Sequence, residues 1–295
     1  FLLFAAHLVP FLLFTQTSAD DMVARMGRGI NLGNVLSAPK EGNWSPEVTE
    51  QYFIDIADAG FTNVRIPIDF FGGDDGNGQP RTSGDTSSLD RTGGSYTDGD
   101  MSFDVSTLYL DRIAEIIEWS LDQGLVTILD FHGSKLKSEF IYTFDSLKTE
   151  YFTTENSAKR DADNDKFKAI WTQVAERFRN EPENLLFEII NEPYFSMSKL
   201  QMDVLNAAIL PIIRGSGGSN DTRNVIITGG GDTSHNAPLK IDPNIILGDS
   251  YLIATFHYYQ PFNFTSSSGE GRDKESWGTG NDKPLLCAEF DEVST

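Results

Sequence analysis

The sequence predicts an α/β fold, specifically a (β/α)8 TIM barrel. Three observations point there. Short, almost wholly apolar runs such as Leu125–Phe131 and Leu185–Ile190 alternate with longer stretches of helical spacing. Several of those stretches stop at a glycine, as Gly60 and Gly124 do, which is how helices commonly end. Continuous apolar strands between amphipathic helices are the mark of a parallel sheet covered on both faces. A length of 295 residues suits one such barrel.

The elements follow in order. Gly29–Gly33 reads as the first strand. Pro46–Ala59 is a helix with Ser45 as N-cap and Gly60 beyond its end. Asn63–Pro67 is the second strand, and Leu108–Gln123 the next helix. Leu125–Phe131 is the third strand and Asp165–Arg179 the helix after it. Leu185–Ile190 is the fourth strand, Leu200–Ile213 a helix, Val225–Thr228 the fifth strand, Leu252–Tyr259 the sixth and Leu285–Phe290 the seventh. The eighth strand is expected beyond Thr295, so the barrel is expected to be truncated before it, with two unpaired edges exposed.

Residues 1–19 stand apart. Phe1–Phe14 is apolar but short and broken by Pro10, and Thr17-Ser18-Ala19 follows with small side chains. That pattern predicts the remnant of a secretory signal, and with it a secreted, extracellular protein. Residues 20–295 are then the catalytic barrel, incomplete at its C-terminus. The long stretch Gly72–Asp104, rich in Gly, Ser, Thr and Asp, follows the second strand on the site-forming face. Tyr96 and Phe103 there are candidate sugar platforms.

Composition excludes several classes. Forty-four acidic against 23 basic residues give a formal charge of −21. Nucleic acid and anionic membrane surfaces both require basic patches, so neither is expected as a partner. A neutral polysaccharide is compatible with this charge. The single cysteine, Cys287, sits in an apolar run and reads as a small core residue. The acids of Asp161–Asp165 alternate like a calcium loop, but Lys166 and Thr172 occupy positions that need Gly and Glu. A solvated helix start is the better reading, and no metal or cofactor is expected. Neither an HExxH pair nor a Gly-x-Ser-x-Gly elbow occurs.

Two glutamates carry the chemistry. Glu192, in Asn191-Glu192-Pro193, closes the fourth strand run, and Glu289 closes the seventh. Carboxylates at the C-terminal ends of barrel strands face the site-forming end. Two converging there suit glycosidic hydrolysis, one as proton donor and the other as nucleophile or base. Pro193 predicts extended geometry for Glu192.

With these segments in hand, the chain resembles glycoside hydrolase family 5, the cellulase-type retaining β-glycanases. The resemblance rests on Gly27–Asn34, Ala38–Trp44, Gly60–Pro67, Asp130-Phe131-His132-Gly133, Phe187–Pro193, Phe256–Tyr259 and Ala288-Glu289-Phe290, in the family's order. It implies Glu192 as acid/base and Glu289 as nucleophile, roughly 5 to 5.5 Å apart. It implies Arg65 as the support of the nucleophile, within hydrogen-bond reach of Glu289. Asn191 resembles the family's contact to a sugar 2-hydroxyl. His132 and His257 resemble its cleft histidines, Tyr259 the Tyr beside the nucleophile, and Asn31 a cleft Asn on the first strand. The chain departs from the family where Phe131 precedes His132 and where Ser266-Ser267-Ser268 follows Phe264-Thr265. The implied activity is a retaining endo-β-1,4-glycosidase on cellulose-like β-glucan, expected to act as a monomer. A mannanase, a xyloglucanase or a non-catalytic carbohydrate-binding barrel are the alternatives.

Overall fold

In a computed structural model, the structure describes residues 17–38, 41–71, 102–132, 140, 157–193, 197–231, 234–265, 276–278 and 280–293. Six strands form one parallel sheet: β1 Gly29–Asn31, β2 Asn63–Asp69, β3 Val126–His132, β4 Leu185–Glu188, β5 Val225–Ile227 and β6 Leu252–Ala254. Their order in the sheet is their order in the chain, as in a (β/α)8 barrel. Helix α1 Ala19–Met26 comes first, and α2 Glu50–Asp58, α3 Thr107–Asp122, α4 Ser157–Arg177, α5 Lys199–Gly215 and α6 Pro243–Gly248 join successive strands. The short α7 Phe262–Thr265 and then α8 Asp282–Val293 follow β6.

Side chains alternate across the sheet with a period of two. Val64, Ile66 and Ile68, Leu129 and Phe131, Leu185 and Phe187, Val225 and Ile227 all join the core beneath the helices. The residues between them, Val126, Ile128, Leu186 and Ile226, form a second cluster in the barrel lumen. This two-faced burial explains why the strands read as continuous apolar runs.

The lumen is stoppered from below by α1. Met22, fully buried, packs on those four lumen residues. The helix is held there by polar ties. Ser18 caps it, accepting from the Asp21 amide. Thr17 and Arg25 both donate to Glu183, and Asn224 donates to the Thr17 carbonyl. Arg223 clamps the chain entering β4 to the chain entering β5. Buried completely, it donates to the carbonyls of Phe178, Glu181, Pro182 and Leu185 and to Asn220 Oδ1. Every donor of the guanidinium is thereby used, although burial pulls its pKa down to about 10.

Several expectations are corrected. Leu285–Phe290 is not a seventh strand but part of α8. A short apolar run carries no period that separates strand from helix. Leu, Ala and Glu are good helix formers, and Pro284 lies in the helix's first turn, where no amide donor is needed. Cys287 is consequently exposed instead of buried. Helix α2 starts after Thr49, not at Ser45, β6 ends at Ala254, and α4 begins at Ser157, so the acids Asp161–Asp165 lie within a helix. Phe103 is buried, with φ of 51°, and offers no sugar platform. Tyr96 lies outside the described residues.

Two substitutions test this construction. Met22→Ala, which removes the lumen stopper, is expected to cost about 2–5 kcal/mol, read as a lowered midpoint in denaturant unfolding. Arg223→Met should cost at least about 3 kcal/mol, because four carbonyls lose their donor. A midpoint unchanged by either would mean that the corresponding tie adds nothing to stability.

Candidate active site

The lumen changes character along its height. On β3 the inward residues run Val126, Ile128, Asp130 and His132, and on β4 Leu186 and then Glu188. Asp130 and Glu188 stand in register on adjacent strands. Two buried carboxylates side by side would repel strongly without a cation. Arg65, on β2, supplies it.

Arg65 meets Glu188 through two parallel bonds, Nε to Oε2 at 2.6 Å and Nη2 to Oε1 at 2.9 Å. Its Nη2 also lies 2.8 Å from Asp130 Oδ2 and donates to Asn191 Oδ1 at 3.1 Å. Nη1 donates to Asn31 Oδ1 at 3.3 Å. Burial alone would lower the Arg65 pKa, but the charges of Glu188 and Asp130 outweigh it and raise the value. Glu188 is pushed upward, first by burial and then by Asp130, against the pull of Arg65. One cation thus serves two buried carboxylates.

Asn191 and Glu192 follow β4 after Ile189 and Ile190. The Asn191 amide donates to the Phe131 carbonyl at 2.8 Å, tying the turn to β3. Glu192 then has φ of 37°, which corrects the extended geometry expected before Pro193. A non-glycine residue is held in the left-handed region only when its surroundings over-determine it. Here the carboxylate is gripped: Oε1 lies 2.6 Å from His257 Nδ1 and 3.2 Å from Tyr259 Oη, which donates to it. The Tyr259 phenol is pushed up in pKa by burial and by the Glu192 charge.

Arg65, Asn31, His132, Asn191, Glu192, His257 and Tyr259 are therefore brought together at one end of the barrel. Glu289 is not part of this hydrogen-bonded cluster. It lies on α8 and accepts a short hydrogen bond from Tyr258 Oη. Burial and this carboxylate push the Tyr258 pKa up to about 12. The expected bond between Arg65 and Glu289 is replaced by the pairing with Glu188 and Asp130, because those carboxylates are delivered to Arg65 by neighbouring strands. Tyr259, expected beside the nucleophile, instead meets Glu192, and its neighbour Tyr258 is the tyrosine that reaches Glu289. A cleft of about 470 Å³ opens beside them, lined by Asn31, Arg65, Glu188, His257, Tyr258 and Tyr259, with Val23 and Met26 at its foot.

Sequence reasoning missed Asp130, Glu188 and Tyr258. The first two were marked by a charge inside an apolar strand at a lumen-facing position. Among the described residues, no group of His, Cys, Asp and Glu is arranged to hold a metal ion.

Comparison with known proteins identifies the family. The model of the Cellulase family (glycosyl hydrolase family 5) matches residues 25–295. Endoglucanase H of Acetivibrio thermocellus is 36% identical over 275 residues, which are 93% of this chain and 25% of that protein. Endoglucanase B of Ruminococcus albus is 29% identical over 279 residues, 88% of this chain and 58% of its own length. A tri-modular GH5 (subfamily 4) endo-beta-1,4-glucanase from Bacillus licheniformis superimposes with a TM-score of 0.73 at 30% identity, over 94% of this chain and 46% of that one. The same enzyme is known in complex with cellotetraose, and that structure superimposes with a TM-score of 0.71. The chain spans less than two thirds of each of these relatives. A family match over nearly its whole length shows that the chain belongs to the cellulase family, glycosyl hydrolase family 5.

Proposed function

We propose that the protein is a secreted endo-β-1,4-glucanase that hydrolyses cellulose-like β-glucan with retention of configuration. The observation that carries this reading is the grip on Glu192 by His257 and Tyr259, both of which line the cleft. It holds a carboxyl group in one orientation beside two further hydrogen-bonding groups, as a general acid must be held. The names of the relatives support the substrate class, and the cellotetraose complex of the Bacillus licheniformis enzyme supports a β-1,4-glucan chain as occupant. A polymeric substrate also fits an exported enzyme.

In this mechanism Glu192 begins protonated and gives its proton to the glycosidic oxygen. The Glu289 carboxylate attacks the anomeric carbon as the bond to that oxygen breaks, forming a glycosyl ester. Water then attacks the same carbon, Glu192 takes its proton, and Glu289 leaves as carboxylate. Asn191, held by Arg65, orients the reacting sugar, and Tyr259 steadies the carboxylate of Glu192 between the two steps. The role of Glu289 rests on the family pattern and on its approach to Tyr258 at the same loop.

Two variants test the roles. Glu192→Gln should lower kcat on a soluble β-1,4-glucan about 10²- to 10⁴-fold, measured by reducing-sugar release. Its kcat/KM should fall much less on an aryl cellobioside with an activated leaving group, because forming the glycosyl ester from that substrate needs no proton. Glu289→Gln should abolish turnover on both substrates while calorimetry still detects cellotetraose binding. A folded Glu289→Gln variant with full activity would move the nucleophile elsewhere.

A further inference from the structure

Glu188 already neutralises Arg65 with two bonds, so a second buried carboxylate beside it calls for another explanation. Asp130 is fully buried, and its Oδ1 has no hydrogen-bond partner. An unpaired, desolvated carboxylate oxygen costs stability. All of Asp130's bonding is concentrated on Oδ2, which takes Arg65 Nη2 at 2.8 Å and His132 Nδ1 at 2.7 Å.

We propose that Asp130 is a positioning residue that fixes the side-chain amide of Asn191, next to Glu192, by holding Arg65 through an ion pair and His132 through a hydrogen bond in one closed ring of polar contacts. The directions of these bonds follow from the chemistry of the partners. A carboxylate only accepts, so Nδ1 of His132 carries the hydrogen and Nε2 of the neutral ring is an acceptor. Nε2 faces Asn191 Nδ2 at 3.4 Å. The other end of the same amide, Oδ1, accepts from Arg65 Nη2 at 3.1 Å. A guanidinium has donors and no acceptor. Flipping the amide would therefore set donor against donor at Arg65 and acceptor against acceptor at His132. The ring runs Arg65, Asp130, His132, Asn191 and back to Arg65, and admits one orientation of each member. The contact of 3.4 Å is its weakest link, so the correct His132 tautomer is what keeps it closed. The second hydrogen of Asn191 Nδ2 stays outside the ring, aimed by it and available to a ligand.

This inference rests on the reading of Asn191 and Glu192 as parts of the glycosidase site, but its primary test needs no turnover. The full chain, labelled with ¹⁵N-histidine, is examined by long-range ¹H–¹⁵N correlation, and His132 is assigned from the signals lost in His132→Gln. The expected wild-type state is the Nδ1-protonated neutral tautomer. Asp130→Ala should shift His132 toward the Nε2-protonated tautomer favoured by free imidazole. In parallel, Asp130→Ala should lower kcat on soluble β-glucan about 10²-fold with KM nearly unchanged. Adding Asn191→Ala should then cost little more than the worse single variant, since the two act through one chain of bonds. An Nε2-protonated His132 in the wild type, an unchanged tautomer in Asp130→Ala, or fully multiplicative losses in the double variant would overturn the proposal. Should Asp130→Ala fail to fold, Asp130→Asn keeps the shape and removes the charge. It should show a measurable tautomer shift and a smaller kcat loss, and wild-type behaviour in both would overturn the proposal equally. An inactive wild type whose His132 is Nδ1-protonated would instead count against the glycosidase reading.

Discussion

A single cation shared between two buried carboxylates organises the upper half of this barrel. Arg65 holds Glu188 and Asp130 on adjacent strands and the amide oxygens of Asn31 and Asn191 besides. Removing the cation would leave two carboxylates facing each other out of water, a loss of several kcal/mol. Because β1, β3, β4 and the turn after β4 each contribute a partner to Arg65 on β2, their relative positions are set by one guanidinium. The family's reaction needs these groups at fixed distances, and the ion cluster supplies that rigidity where loops alone would not.

The lower half of the barrel works by a different principle. Met22, Val126, Ile128, Leu186 and Ile226 fill the lumen with apolar side chains, and Arg223 draws the chain ends beneath it together. Stability and chemistry are thereby stacked on the same strands. Two residues further along β3 or β4 turns a packing position into an ionic one.

Much of this was legible in the sequence. Strands β2 to β5 announced themselves as apolar runs because both faces of the sheet are covered there, and Asn191-Glu192-Pro193 stood out because a charge follows such a run. Asp130 and Glu188 were in plain view inside their strands, yet an apolar run conceals which of its members faces the lumen until the register is known. The backbone of Glu192 was misjudged because the bias imposed by Pro193 is local, whereas the ties to Phe131, His257 and Tyr259 are tertiary. The segment Leu285–Phe290 was misread for a related reason. Its composition suits strand and helix alike, and no described strand lies beside it to decide the matter.

The central claim is that this cleft performs a double displacement with Glu289 as nucleophile and Glu192 as its partner. The most direct measurement is to trap the glycosyl ester with an activated 2-deoxy-2-fluoro-β-cellobioside, digest the protein, and locate the added mass by tandem mass spectrometry. The account predicts a label on Glu289 alone, formed in step with loss of activity. A label on Glu188 or Glu192, or inactivation without any covalent adduct, would contradict it.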